Sequence, residues 1–137
     1  MICEPCNFAD GVADIDLRAL LAFHQEQNLL ATITGVGAFS PFGVMQTNNH
    51  GRVIGFQEKP LVASLINGGF MVLERDVLAY LQGGDDVDLE GAPFHKLAVD
   101  GQLAVYQHKG FWRAMDTFKE AQELNTLWEE GAPWKIW

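Results

Sequence analysis

Two glycines, Gly68 and Gly69, interrupt an otherwise apolar run over residues 65–73 that reads as a strand. Paired glycines weaken a strand, since they cost backbone entropy and bring no side chain to pack. Such a run is kept where the backbone bulges or where a ligand comes close to the main chain. The glycines belong to the word I-N-G-G-F at residues 66–70, and a second word, F-Q-E-K-P, precedes it at residues 56–60. Each sets polar groups, a cation or bare backbone where flanking apolar residues predict strands.

The remaining elements fall around these words. Asp14 is placed to cap a helix carrying Leu17, Leu20 and Leu21 toward His24 at helical spacing. Residues 29–34 form an apolar, partly β-branched strand, and residues 35–42, with two Gly and a Pro, form a loop. Residues 44–47 and 52–57 pair as strands around the turn Asn48-Asn49-His50-Gly51. Residues 75–82 are a short helix stopped by Gly83 and Gly84, and a second helix starts at Pro93 and ends before Gly101. Residues 103–107 are a strand. Thr117 and Glu120 have capping-box spacing and open a last helix that runs toward Trp128 and ends before Gly131 and Pro133. The fold class is α/β, a mixed sheet with flanking helices. With no repeat or long linker, residues 1–137 form a single domain.

A chain of 137 residues with 48% hydrophobic content can bury a core of its own. Its net charge of -9 argues against nucleic acid or an anionic membrane as the main partner, because both select basic surfaces. No apolar run approaches the roughly 20 residues of a membrane helix. The start M-I-C-E-P-C-N-F shows no secretion signal, so a cytoplasmic location is expected. The two cysteines, Cys3 and Cys6, are spaced as a redox pair or half a zinc site. No histidine pair completes a zinc site, and ordinary thiols in reducing cytosol are the simpler reading.

Glu58, Lys59, Asn67, Gly68 and Asp116 all fall at predicted element ends, a set that suits a sugar phosphate with a divalent metal. A Lys offers a compact charge to a phosphate, and an Asn amide offers both donor and acceptor to neighbouring hydroxyls. Each residue also has a plainer reading. E-K-P alone is an ordinary strand end, Asp10 before Gly11 an ordinary turn, Gly43 a strand opening, and Asp116 an acid favourable near a helix N-terminus. His24 reads as a half-buried packing residue, and without a Ser or Cys partner a hydrolase triad has no support.

The order F-A-D-G-V (8–12), P-F-G-V (41–44), F-Q-E-K-P, I-N-G-G-F and G-F-W-R-A-M-D-T (110–117) resembles the C-terminal half of the sugar-phosphate nucleotidyltransferases. The segments F-H-Q-E-Q (23–27) and G-A-P-W-K-I-W (131–137) favour the branch that uses glucose 1-phosphate and a cytidine nucleotide. The resemblance implies a partial Rossmann-like nucleotidyltransferase domain. It implies that Asp10 and Asp116 hold Mg²⁺, that Glu58 and Asn67 meet sugar hydroxyls, and that Lys59 meets the sugar-bound phosphate. By the same resemblance the backbone at Gly43 and Gly68 faces the sugar. Family members join a sugar 1-phosphate to a nucleoside triphosphate and release pyrophosphate.

One departure is large. The family's G-G-x-G-T-R type loop, which cradles the triphosphate, is absent, and Ala9 stands where the family has a Gly. The expectation is a sugar-phosphate-binding half that is inactive alone. It would self-associate as a homo-oligomer or pack against a complementary chain carrying the nucleotide site. The alternative is a non-catalytic binding or assembly module reusing the fold.

Overall fold

The apolar segment after Asn28 becomes the central strand, β3 (Ala31–Val36), with all but one of its residues buried. It begins two residues later than its composition predicts and continues through Gly35 and Val36, because partners flank it on both sides. β8 (Leu103–His108) runs parallel along its whole length, from Ala31 opposite Leu103 to Val36 opposite His108. On the other side, β6 (Ile66–Asn67) pairs antiparallel with Gly35 and Val36, and β7 (Met71–Leu73) pairs antiparallel with Ala31 and Thr32. β1 (Glu4–Cys6) adds to the outer edge of β7. This computed structural model describes residues 4–6, 10–83 and 87–136, the first three as backbone only. Cys3, Phe8, Ala9, Gly84 and Trp137 lie outside the described residues, as does the side chain of Cys6.

The expected strand over 65–73 is therefore two short strands on one neighbour, separated by Gly68-Gly69-Phe70. Gly69 and Phe70 both take left-handed backbone, with φ of 71° and 43°. The first is easy for glycine and the second is uncommon for an aromatic residue. The bulge leaves no carbonyl idle. Gly68 O accepts from Trp112 Nε1 at 2.8 Å, Gly69 O from Thr34 N–H at 3.3 Å, and Phe70 O from Thr34 Oγ1 at 2.8 Å. Gly68 N–H donates to Thr34 O at 2.8 Å.

Helices cover both faces of the sheet, and the alternation of β7 shows how. Met71 packs with Ala31, Val77, Phe94 and Leu97, whereas Val72 packs with Ile15 and Leu20. The first face carries α2 (Ala92–Val99) and a 3₁₀ helix (Arg75–Tyr80), and the second carries α1 (Leu17–Gln27). Leu20 and Leu97 are fully buried, and truncating either to Ala would cost about 2–5 kcal/mol. The 75–82 segment, expected as an ordinary helix, takes the tighter 3₁₀ form over Arg75–Tyr80, with only Val77 buried. α2 starts one residue before Pro93 and closes at Asp100, as its Pro and Gly signals predict.

α1 corrects one assignment. Its N-cap is Asp16, whose Oδ1 accepts from the N–H groups of Arg18 and Ala19 at 2.9 and 3.1 Å. Asp14 lies two residues too early and turns toward His108. The buried stripe is Leu20 and His24, while Leu17 and Leu21 stay largely exposed. His24 is fully rather than half buried: Nδ1 lies 2.8 Å from Thr32 Oγ1, and Nε2 lies 3.5 Å from Glu74 Oε1. Thr, His and Glu are thus lined up, but Thr32 is wholly inaccessible and no substrate can reach it. The arrangement satisfies polar groups beneath a helix.

Two antiparallel ribbons complete the chain. β4 (Val44–Thr47) and β5 (Val53–Gln57) form the expected hairpin, its turn held by Asn48 Oδ1, which accepts from His50 and Arg52 N–H at 3.0 Å each. β2 (Gly11–Ala13) pairs with β9 (Trp112–Ala114), which leads into α3 (Phe118–Glu129).

Gly68 tests the bulge directly. A Cβ there would lie 2.8 Å from Val36 Cγ1 and 3.2 Å from Thr34 O, with β3 backbone behind it. Gly68→Ala is expected to destabilise the protein by about 1–3 kcal/mol, as overpacking does, in a urea unfolding titration. An unchanged midpoint would mean that the bulge relaxes freely.

Candidate functional site

Asp10 and Asp116 stand 106 residues apart in sequence (116 minus 10), and the β2–β9 ribbon joins them. Its register sets Gly11 opposite Ala114, and Met115 N–H donates to Asp10 O at 2.9 Å as the next rung. Asp10 is thus opposite Met115, and Asp116 follows directly. Both aspartates emerge at one end of the ribbon, both exposed. Asp10 stands directly before β2. Among the described residues no group of three or more His, Cys, Asp or Glu is arranged to hold a metal. Two carboxylates still fit Mg²⁺, which takes one or two from a protein and fills its octahedron with phosphate oxygens and water.

β9 ties that end of the molecule to the I-N-G-G-F bulge. Trp112 Nε1–H donates to the Gly68 carbonyl across 44 residues of sequence. Gly68 is buried, and its N–H and C=O are both engaged within the chain. The glycine is explained by the approach of β3, the bulge reading weighed above. Asn67 is exposed, and its amide orientation follows from its neighbours. Oδ1 accepts from Gly69 N–H at 3.0 Å, so the NH₂ end faces Glu90 Oε1 at 2.5 Å. Glu90 was not singled out from sequence, because nothing in its flanks distinguishes it from a solvated acid.

The E-K-P word lies just beyond β5, where the strand has ended as Pro60 predicts. Lys59 has left-handed backbone with φ of 47°, so it turns away from the pleat. Glu58 and Lys59 are both exposed. Gly43 is their neighbour across the hairpin: a Cβ on it would meet Glu58 Oε2 at 2.9 Å and the Phe56 ring at 2.6 Å. The structure therefore gathers Gly43, Glu58 and Lys59 at the hairpin base. After Pro60 the chain returns alongside the extension of β3, through Ser40 N–H to Pro60 O at 2.8 Å and Val62 N–H to Ala38 O at 2.7 Å. It then reaches Ile66 and Asn67. Lys59 and Asn67 lie on the same returning segment, at opposite ends of residues 60–66.

A cleft of about 940 Å³ runs beside this segment, lined among others by Phe39, Leu61, Trp112, Arg113, Asp116 and Glu120. Of the residues singled out in sequence as a site, Asp116 lines it; Asp10, Gly43, Glu58, Lys59, Asn67 and Gly68 do not. Thr117 and Glu120 form the full capping box. Glu120 Oε2 accepts from Thr117 Oγ1 at 2.9 Å and from the N–H groups of Asp116 and Thr117 at 3.0 and 2.8 Å. The Thr117 hydroxyl bond first, then the two backbone bonds, with a smaller contribution from Arg113, hold its carboxyl below the usual range. Asp116 is thereby fixed at its backbone with its carboxylate outward.

Next to His108, which lines the cleft, Asp14 Oδ1 is closed off from solvent, 2.9 Å from His108 Nε2 but poorly aligned for a hydrogen bond. The same His108 nitrogen lies 3.1 Å from Phe111 O. A nitrogen facing two acceptors carries a proton. Trp134 is buried against Phe111 and Trp128, with centroids 5.6 and 6.3 Å apart, so the C-terminal aromatics pack on one another.

Comparison with known proteins supports a family. A family model described as Nucleotidyl transferase matches residues 8–130. A Bacillus subtilis (strain 168) protein named "Probable glucose-1-phosphate cytidylyltransferase" is 42% identical over 132 residues, covering 96% of this chain and 52% of its own length. The glucose-1-phosphate cytidylyltransferase of Salmonella typhimurium is 40% identical over 133 residues, with 96% and 51% covered. A Bacillus anthracis crystal structure, a candidate glucose-1-phosphate thymidylyltransferase solved with a sucrose, superposes with a TM-score of 0.58. It has 20% identity over 86% of this chain and 51% of its own, a likeness of fold alone. The chain spans about half the length of the curated relatives it matches.

Two measurements probe the supports of the site. Trp112→Phe keeps the ring packing but strands the buried Gly68 carbonyl, and should cost about 1–3 kcal/mol in denaturant unfolding; no loss would mean that water replaces the indole. Glu120 has a lowered folded pKa, so its contribution is complete above the unfolded value of 4.5 and is lost as pH falls through the folded value. The melting-temperature gap between wild type and Glu120→Gln should hold near neutral pH and close on acidification below 4.5. A gap that widens with acid would contradict the capping-box assignment.

Proposed function

The chain belongs to the nucleotidyl transferase family, and on that premise we propose that it is the sugar-phosphate-binding half of a glucose-1-phosphate cytidylyltransferase-type enzyme. The observation that carries the reading is the ribbon that delivers Asp10 and Asp116 to one end while Trp112 joins the same ribbon to the Asn67 bulge. A metal-binding end and a hydroxyl-binding element thereby become parts of one rigid unit.

In the proposed reaction a phosphate oxygen of glucose 1-phosphate attacks the α-phosphorus of CTP, the bond to the β,γ-pyrophosphate breaks, and CDP-glucose forms. The difficulty is bringing two polyanions together in line. Lys59 neutralises the sugar phosphate as a compact charge, and its left-handed backbone turns it out of the strand to do so. Glu58 and Asn67 accept from and donate to ring hydroxyls and so fix the attacking oxygen. Asp10 and Asp116 would hold Mg²⁺, which when bound offsets the charge gathering on the phosphate oxygens. No Gly-rich triphosphate loop occurs among the 137 residues, so the cradle for CTP is assigned to residues outside them, on this protein or on a complementary chain. By this reading these residues alone do not transfer cytidylyl groups. A cytoplasmic location is part of this proposal, because the proposed substrates are soluble small molecules.

A second reading, an assembly module, draws on the β4–β5 hairpin, where Met45, Ile54 and Phe56 are each at least 60% exposed. An apolar ribbon of this kind favours association, including a homo-oligomer. The two readings part at Lys59. Calorimetric titration of glucose 1-phosphate with Mg²⁺ should give binding that weakens by about 10- to 100-fold in Lys59→Ala, the loss of a charge-assisted hydrogen bond. Asp116→Asn should leave sugar-phosphate binding but remove its Mg²⁺ dependence. Equal affinity of wild type and Lys59→Ala would favour the assembly module.

A further inference from the structure

We infer that Glu90 is a specificity-determining residue, which with Asn67 forms a donor–acceptor pair that reads a ring hydroxyl of the sugar. The inference rests on the sugar-phosphate reading of this chain and names a contact that neither the motifs nor the comparisons assign.

Asn67 has a defined orientation. Its Oδ1 is committed to Gly69 N–H, and one amide hydrogen goes to Glu90 Oε1 at 2.5 Å. What the pair has left, among the described residues, is the second amide hydrogen of Asn67 and the second carboxylate oxygen of Glu90. One donates and the other accepts. Both side chains are exposed, so the remaining capacity faces solvent. A hydroxyl is the group that completes such a pair, because it donates its hydrogen to Glu90 Oε2 and accepts on its oxygen from Asn67 Nδ2. A phosphate oxygen accepts only and meets repulsion from the carboxylate. The pair therefore takes the neutral, hydroxyl-bearing side of a sugar phosphate and leaves the anion to Lys59.

Glu90 is also held in place. Its N–H donates to Asp88 Oδ1 at 3.0 Å. Leu89 beside it packs on the Ala31, Met71, Val77, Phe94 and Leu97 cluster, and Leu89 O accepts from Phe94 N–H at 3.2 Å. On the other side Asn67 is anchored by its rung to Gly35 and by the bulge. Two exposed side chains 23 residues apart meet because the backbone beneath each is fixed to the core. Preorganisation of that kind lowers the ordering cost of binding a small polar ligand.

The test titrates glucose 1-phosphate and its four monodeoxyfluoro analogues (positions 2, 3, 4 and 6) into wild type, Glu90→Gln and Lys59→Ala. Fluorine cannot donate, so the wild type should lose about 10- to 100-fold in affinity for one analogue. Glu90→Gln should bind glucose 1-phosphate more weakly by a similar factor and show little further loss with that analogue. Lys59→Ala should bind weakly yet keep the wild-type ranking of analogues. Glu90→Asp, with the charge but not the reach, should behave as Glu90→Gln, and equal melting temperatures would exclude misfolding. A Glu90→Gln protein that keeps the wild-type ranking overturns the inference and leaves the sugar-phosphate reading standing. Wild type that binds no glucose 1-phosphate overturns that reading and this inference together.

Discussion

The three carbonyls of Gly68, Gly69 and Phe70 join parts of the chain that lie far apart in sequence. Each accepts a hydrogen bond from a residue distant in sequence, two from Thr34 on the central strand and one from the Trp112 indole. The bulge is what allows one edge of β3 to be served by two short strands, and it is also where the β2–β9 ribbon is fastened to the main sheet. The bond at Gly68 O adds to the packing of Ala13 on the Ile15, Leu20 and Val72 cluster in holding the ribbon against the main sheet. Left-handed backbone at Phe70 is a local strain of the kind that persists where the surroundings over-determine it. Here the surroundings are two Thr34 bonds and the packing of Phe70 against the Ile15, Leu20 and Val72 cluster.

An acidic chain proposed to bind a sugar phosphate has to attract it locally. With a formal charge of -9, the mean field of the protein repels a sugar phosphate, so attraction has to come from cations placed at short range. Lys59 sits clear of the sheet on a turned backbone, and Arg113 lies close enough to Glu120 to contribute to its lowered pKa. The capping box engages Glu120 Oε2 with three hydrogen bonds, so this carboxylate serves the helix start rather than competing with Asp116. Acidic groups beside the proposed metal end are thus divided by their hydrogen bonds, not by their charge.

Much of this was legible in the sequence, and the failures have physical causes. The capping box, the Asn48 turn, the Pro93 start and the broken strand rest on local rules, in which a residue type satisfies its own backbone neighbours, and each appears where those rules put it. The first helix cap was misplaced by two residues, because Asp14 and Asp16 both have the right chemistry. Only the long-range neighbour His108 decides which one is occupied elsewhere. The extent of β3 was misjudged for a similar reason: Gly35 looks like a loop residue until β8 and β6 are seen to pair with it. Asp10 and Asp116 were named from a resemblance, but their convergence depends on a ribbon of two three-residue strands, too short to show period-two alternation. Glu90 carried no signal at all, since its role is set by an amide 23 residues upstream.

That pattern bears on how such a site responds to ligand. Its parts come from separations of 106, 44 and 23 residues, so the proposed site is assembled by tertiary contacts rather than by any single element. Groups gathered in this way are in register only when the sheet is intact, so a ligand that bridges them binds the folded state and not the unfolded chain. Its binding energy then adds to stability through mass action, by about 2.7 kcal/mol at a hundredfold excess over Kd. A ligand held by Lys59 alone would stabilise the hairpin base and little else. One that spans from Lys59 to the Asn67–Glu90 pair, with metal at Asp10 and Asp116, would couple hairpin, bulge and ribbon. The bulge ties the ribbon to the main sheet, while the pairing of residues 38–40 with 60–62 sets the hairpin base beside them.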